Sequence, residues 1–224
     1  NLKKIAKDLE LDFRPNDKLL SEVVCLVEKP YSLGIDITLT VQGVLKKGVT
    51  PWLKSGMQKG DILLMSRPLG VGIFFAAQMQ NINLKDSAEE IMKNLATSQQ
   101  PLLDKIYMLQ NKFGETFINA ATDITGYGFI GHLKEMIDSS NLIRTDNNLR
   151  PIKALLDLSA FKAYPGILDL IQKGIKSSLF ESNKEILDQI LAKNQNERII
   201  SFLKGNKFNS DTFKEKIALL LDPQ

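Results

Sequence analysis

The stretch Ala120-Ala121-Thr122-Asp123-Ile124-Thr125-Gly126-Tyr127-Gly128-Phe129-Ile130-Gly131-His132-Leu133-Lys134-Glu135-Met136 constrains this chain more than any other. A β-prone run from Thr116 to Ile124 carries one carboxylate, Asp123, to its end. Gly126 and Gly128 then space a turn, and Phe129, Leu133, Met136 and Ile137 share one face of the helix that follows. Strand, loop and helix therefore meet at a single acid. Glycine permits positive φ and lets backbone come close to a ligand, and a helix that starts there points N–H groups at any anion. Phosphate beside a carboxylate implies a divalent metal to offset the two anions, and Mg²⁺ is commonly held by one or two carboxylates plus phosphate oxygens. The competing reading of Asp123 is simpler: an Asp before a glycine-rich turn is often a helix N-cap or turn former.

The rest of the chain divides by period and by breakers. Leu2, Ile5, Ala6 and Leu9 predict a short helix that ends at Arg14-Pro15, and Asn16 or Asp17 caps a second with Leu19, Leu20, Val23 and Val24 inward, up to Lys29-Pro30. From Leu33 the period becomes two, with Ile35, Ile37, Leu39 and Val41 alternating with polar residues, the pattern of a half-buried strand. Gly48, Pro51 and Gly56 place a domain boundary near Lys46 to Ser55, giving domains over 1–50 and 51–224. The compact run Ile62-Leu63-Leu64-Met65 reads as a buried strand, and Gly70 and Gly72 feed a helix of Ile73, Phe74, Ala76, Ala77 and Met79. Pro68-Leu69-Gly70-Val71-Gly72 is either a phosphate loop or only a tight turn. Ser87-Ala88-Glu89-Glu90 reads as a capping box, and Leu102, Leu103, Ile106 and Leu109 form an apolar stripe. Met79, Met92 and Met108 read as core filling. Ser182 and Asn183 read as N-caps for Ile186 to Leu191.

Several of these segments resemble selenophosphate synthetase (selenide, water dikinase), of the aminoimidazole-ribonucleotide-synthetase-like superfamily. The signature of that family is an Ala-Thr-Asp-hydrophobic-Thr-Gly-aromatic-Gly run leading into Gly-His-Leu and an acid before Met, here residues 121 to 136. Lys59-Gly60-Asp61 through Pro68-Leu69-Gly70-Val71-Gly72 resembles the opening of the family's C-terminal domain, with Arg67 where lysine is usual. Ala154-Leu155-Leu156-Asp157-Leu158-Ser159, Tyr164 to Leu170, Gly174-Ile175, Glu181-Ser182-Asn183 and Ile217 to Gln224 follow in the family's order. The resemblance covers roughly residues 33 to 224. It implies an α+β fold, with a mixed, ferredoxin-like sheet in the C-terminal domain, a remnant of the N-terminal domain, and last strands beyond the chain's end. The expected strands are 33 to 44, 61 to 66, 116 to 123 and 217 to 222. It further implies ATP and Mg²⁺ as cofactors, Asp123 as a metal ligand, and Thr125, Gly126 and Gly128 as nucleotide contacts.

The implied reaction is ATP-dependent phosphoryl transfer to selenide, with release of AMP and phosphate. The family's reactive cysteine or selenocysteine, its partner lysine, further metal-holding aspartates and a Gly-Gly-His-Thr-like segment are not visible before Leu33. The chain also begins at Asn1 without methionine, inside a helical pattern, as an excerpt of a longer polypeptide would. By itself it is therefore expected to be inactive, and no residue is assigned as catalytic. The alternative is a diverged, non-catalytic module of the same fold, fused to an oxidoreductase or serving a dimer interface. An ATP enzyme with another substrate fits the Thr-Gly-Tyr-Gly and Gly-His-Leu sequence less well. The family's two-fold pairing implies a homodimer.

Composition limits the partners. The 29 basic and 26 acidic residues leave a net charge of +3, which gives little bias toward nucleic acid or anionic membrane. No apolar run approaches a membrane span and no signal-peptide pattern opens the chain, so the expectation is a cytoplasmic protein without membrane or nucleic-acid partners. The single cysteine, Cys25, excludes a disulfide framework and reads as a buried thiol. His132, alone of its kind and one turn into a helix, reads as structural.

Overall fold

The computed structural model describes residues 40, 44, 50–82, 84–114, 117–193 and 210–224. Two compact units divide the chain, Asn1–Lys47 and Gly48–Gln224. The expected helices before Pro30, the strand from 33 to 44 and Cys25 lie outside the described residues, apart from Thr40 and Val44.

In the second unit the described elements are helical: α1 (Val71–Met79), α2 (Lys85–Ala96), α3 (Gln100–Phe113), α4 (Gly128–Asp146), a 3₁₀ turn (Leu158–Ala160), α5 (Ile167–Gln172), α6 (Phe180–Lys193) and α7 (Ser210–Leu221). No strand occurs among the described residues. The only ladder contact among them is a parallel bridge between Leu69 and Ala163, where Leu69 N–H donates to Lys162 (2.9 Å) and Tyr164 N–H to Leu69 (3.1 Å). No helix among them is long and apolar enough to cross a membrane.

The expected α+β mixed sheet is therefore corrected. Residues 217–221 close a helix instead of forming a strand. A short apolar run does not reveal its own period, and alanine and leucine favour helix over sheet. Tertiary surroundings settle it, because α7 packs on α4, α5 and α6 at once, and Leu219, Leu220, Leu221 and Asp222 are all buried in succession. A helix end enclosed by its neighbours needs no polar face. Residues 61–66 join no ladder, and Ile62 and Leu64 are more than four-fifths exposed. Residues 117–123 share a single backbone bond with the neighbouring segment, from Ala121 N–H to the Leu53 carbonyl (2.9 Å). Before Asp157 the chain likewise joins no ladder; Asp157 caps the 3₁₀ turn, accepting from Ser159 N–H at 2.9 Å.

Core and caps also differ from the reading of the residues. Met79, Met92 and Met108 are exposed, whereas Met57 and Met136 are buried; apolarity alone does not choose a helix face. No residue of α3 is buried, and a stack of Tyr107 on Trp52, 5.6 Å between ring centroids, joins it to the entry segment, residues 51–57. Helix α2 starts two residues before Ser87, so its N-cap is Leu84 and Ser87 lies inside the first turn. The core centres on Phe74, Ala77, Ile91, Ile167, Leu170 and the Leu219–Leu221 run. Each such leucine, isoleucine or phenylalanine contributes about 1.5–3 kcal/mol through burial.

Ser140, buried in the middle of α4, ties the entry segment to this core. Its hydroxyl accepts from Gly56 N–H and Met57 N–H, both at 3.1 Å, and donates to the Met136 carbonyl at 2.7 Å. Ser140→Ala is expected to destabilise the unit by about 2 kcal/mol, because the Met57 N–H is left buried without an acceptor. Urea unfolding measures this, and a loss below about 0.5 kcal/mol would show that the clamp is dispensable.

Candidate functional site

The segment leading to α4 is held from both sides. The Ala121 N–H bond to Leu53 fixes it beside residues 51–57, and the turn closes with Gly128 N–H on the Thr125 carbonyl (3.1 Å). Gly128 takes φ +63°, and its missing Cβ would lie 2.8 Å from the Leu221 carbonyl oxygen. Glycine is required there for backbone conformation and for space.

Asp123 is exposed and stands four residues before Tyr127, the N-cap of α4, which has no side-chain cap. The carboxylate is thus not spent on capping. Thr125 is exposed too, and its hydroxyl meets His132 Nε2 at 3.1 Å. His132 is buried within α4, and its Nδ1 lies 3.0 Å from Glu135 Oε2. A neutral imidazole satisfies both contacts when Nδ1–H donates to the carboxylate and Nε2 accepts the Thr125 hydroxyl proton. The Glu135 oxygen also accepts from Lys54 Nζ at 2.9 Å. These contacts form a chain from Lys54 through Glu135 and His132 to Thr125. The Lys54 hydrogen bond, ahead of that from His132, holds the Glu135 carboxyl below its ordinary range despite some burial. Glu135 in turn raises Lys54, with smaller contributions from Asp123 and Tyr127.

The second glycine loop faces the same part of the fold. Gly70 N–H and Val71 N–H donate to Gln224 Oε1 (3.0 and 3.4 Å), Gly72 N–H to the Pro223 carbonyl (2.9 Å), and Ile73 N–H to Asp222 Oδ2 (3.1 Å). The first N–H groups of α1 are therefore already bonded, which favours the tight-turn reading of Pro68 to Gly72. Asn183 lies inside α6 rather than capping it, and its Nδ2 donates to the carbonyls of Gly126 (2.9 Å) and Leu221 (2.8 Å). Both glycine loops are thus fastened to residues 221–224.

Lys54, Glu135, Asn183, Asp222 and Gln224 were not singled out by the sequence as site residues. Two had a signal: Asn183 falls in the apolar register of Phe180, Leu187 and Ile190, and Glu135 follows His132 at the i, i+3 spacing. Of the predicted residues, Asp123, Thr125, Gly126 and Gly128 all lie on this one loop. Among the described residues no three His, Cys, Asp or Glu side chains are grouped to hold a metal ion. Asp123 accordingly suits an ion that arrives with phosphate oxygens of its own, as Mg²⁺ does on a nucleotide.

Residues 58–168 match the family described as AIR synthase related protein, C-terminal domain. Over those residues the chain is similar to the AIR-synthase-related superfamily. The chain is also similar to proteins named selenide, water dikinase. The relative from Methanococcus maripaludis is 24% identical over 176 residues, 74% of this chain and 52% of the relative. That from Myxococcus xanthus is 30% identical over 156 residues, 66% of this chain and 39% of the relative. That from Methanocaldococcus jannaschii is 32% identical over 117 residues, 47% and 34% of the two chains. The chain spans about half or less of the length of these curated relatives of the superfamily.

Proposed function

We propose that this chain is the C-terminal portion, with a remnant of the N-terminal domain, of an enzyme that converts ATP, selenide and water to selenophosphate, AMP and phosphate, one phosphoryl group passing to selenium and the other to water. In this reading residues 1–50 and 51–224 belong to two synthetase-like domains, and the intact protein is a cytoplasmic homodimer. The similarity to selenide, water dikinases supports the reaction. The observation that carries it to particular residues is the exposed Asp123 at the glycine turn, a carboxylate not used for capping.

Mg²⁺, when bound with the nucleotide, would neutralise phosphate oxygens so that a nucleophile can approach in line. Asp123 would hold that ion, Gly126 and Gly128 let the backbone come close to the phosphates, and His132 steadies Thr125 at the loop. Asp123→Asn in the full-length protein is expected to lower ATP turnover at least about a hundredfold, the scale of losing one preorganised charge contact in a transition state. Its melting temperature should barely move, since surface changes away from special features stay within about 0.5 kcal/mol. Steady-state ATP hydrolysis and thermal melting of the two proteins provide the check. Full turnover in the Asn variant would rule out the metal-ligand role, and absence of turnover in the unaltered protein would favour a non-catalytic module.

A further inference from the structure

The feature that the proposed reaction leaves unused is Lys54. Its backbone is stationed beside the central loop by contacts on either side: Leu53 accepts from Ala121 N–H at 2.9 Å, two residues before Asp123. Gly56 and Met57 are bonded to Ser140 at 3.1 Å, and Trp52 is stacked on Tyr107. The side chain is then aimed by Glu135 (2.9 Å), which His132 holds from the buried side (3.0 Å). His132 is in turn bonded to Thr125 of the same loop. An exposed surface lysine ordinarily samples many rotamers, and fixing it costs side-chain entropy. Here a buried histidine and a carboxylate hold the ammonium on the side of the loop where Leu53 pairs with Ala121, two residues before Asp123. An ammonium has three donors, and Glu135 takes one.

We propose that Lys54 is a ligand-facing cation of this site, positioned by Glu135 and His132 to meet the anionic phosphates of a metal–nucleotide ligand beside Asp123. This rests on the reading that the Asp123 loop takes such a ligand. Glu135 and His132 act through Lys54 and are positioning residues. The role is electrostatic, so charge should matter more than shape, and binding should weaken with salt.

The test is calorimetric titration of the full-length protein with Mg²⁺ and a non-hydrolysable ATP analogue, alongside thermal melting. Lys54→Met is expected to weaken binding roughly tenfold, the scale of a single charge contact to phosphate, without changing the melting temperature. Lys54→Arg should recover most of the affinity, and the salt dependence should flatten in Lys54→Met. Glu135→Gln should weaken binding less, and combining it with Lys54→Met should add nothing further, because Glu135 acts through Lys54. If Asp123→Asn weakens binding while Lys54→Met leaves it unchanged, the Lys54 proposal is overturned and the reading of the loop stands. Additive losses from Lys54→Met and Glu135→Gln would overturn the positioning role. Absence of binding by the unaltered protein would overturn the loop reading and the Lys54 proposal together.

Discussion

Raising the pH from 5 to 8 is expected to destabilise the Gly48–Gln224 unit, contrary to the usual behaviour of a protein rich in paired carboxylates. The cause is Asp222. It is fully buried against the first turn of α1, and burial pushes its carboxyl up to about 7, against smaller opposing contributions from Ile73 N–H, the Ser177 hydroxyl and Gly72 N–H. The ordinary value is 3.8. Between those two values the folded protein holds a proton that the unfolded chain has lost, so stability falls as pH rises through about 4 to 7. The rise from 3.8 to about 7 corresponds to about 4 kcal/mol at most. Glu135, Asp157 and Glu181 lie below their ordinary values, so their contribution disappears only below about pH 4.5, outside this window. Asp222→Asn keeps an acceptor for Ile73 N–H and removes the charge. It should abolish the slope and be more stable than the unaltered protein at pH 8. Chemical unfolding of both proteins at pH 5, 6, 7 and 8 decides the matter, and parallel profiles would show that Asp222 is not the titrating group.

The second large effect is steric. Gly128→Ala should cost about 3 kcal/mol or more, combining a left-handed backbone penalty of about 1 kcal/mol with displacement of the Leu221–Asp222 backbone. The added Cβ would stand 2.8 Å from Leu221 O, 2.9 Å from Leu221 C and 3.0 Å from Asp222 O, none of which can rotate away. Gly114 provides the control: its φ is +67° against +63°, yet nothing lies within 4 Å of its Cβ position. Gly114→Ala should therefore cost only about 1 kcal/mol, the conformational part alone. The difference between the two unfolding free energies isolates the contact with residues 221–222, and equal losses would show that those residues yield. Gly72→Ala should behave like Gly128→Ala for another reason. Gly72 needs no positive φ, but its Cβ would meet Pro223 O at 2.6 Å and Asp222 Oδ1 at 2.8 Å.

These effects share one location that the amino-acid sequence did not disclose. The two glycine loops were legible as loops, because glycine spacing before an apolar helical period is a local pattern. Their common attachment to Leu221, Asp222, Pro223 and Gln224 joins residues about 100 and 150 positions apart, and no local pattern encodes it. The same holds for Lys54, whose partner Glu135 lies 81 residues away. Asn183 stood out as a polar residue in an apolar register, but only the packing of α6 against α4 and α7 shows which carbonyls it serves.

What the sequence determined by itself was the local chemistry: an acid delivered to a glycine turn, a helix starting at Gly128, and a resemblance resting on residue order. Helices α1, α4 and α6 follow from period and propensity acting over neighbouring residues, and such forces need no partner. The state of the short apolar runs was decided by tertiary structure alone. A strand requires a partner's N–H and C=O groups. Residues 61–66 find none among the described residues, and residues 217–221, rich in leucine and alanine, satisfy their backbone within a helix and bury their side chains against three others. Burial also raised the Asp222 carboxyl to about 7, whereas Asp123 stands exposed: the two share a side chain, and only the surrounding fold distinguishes them.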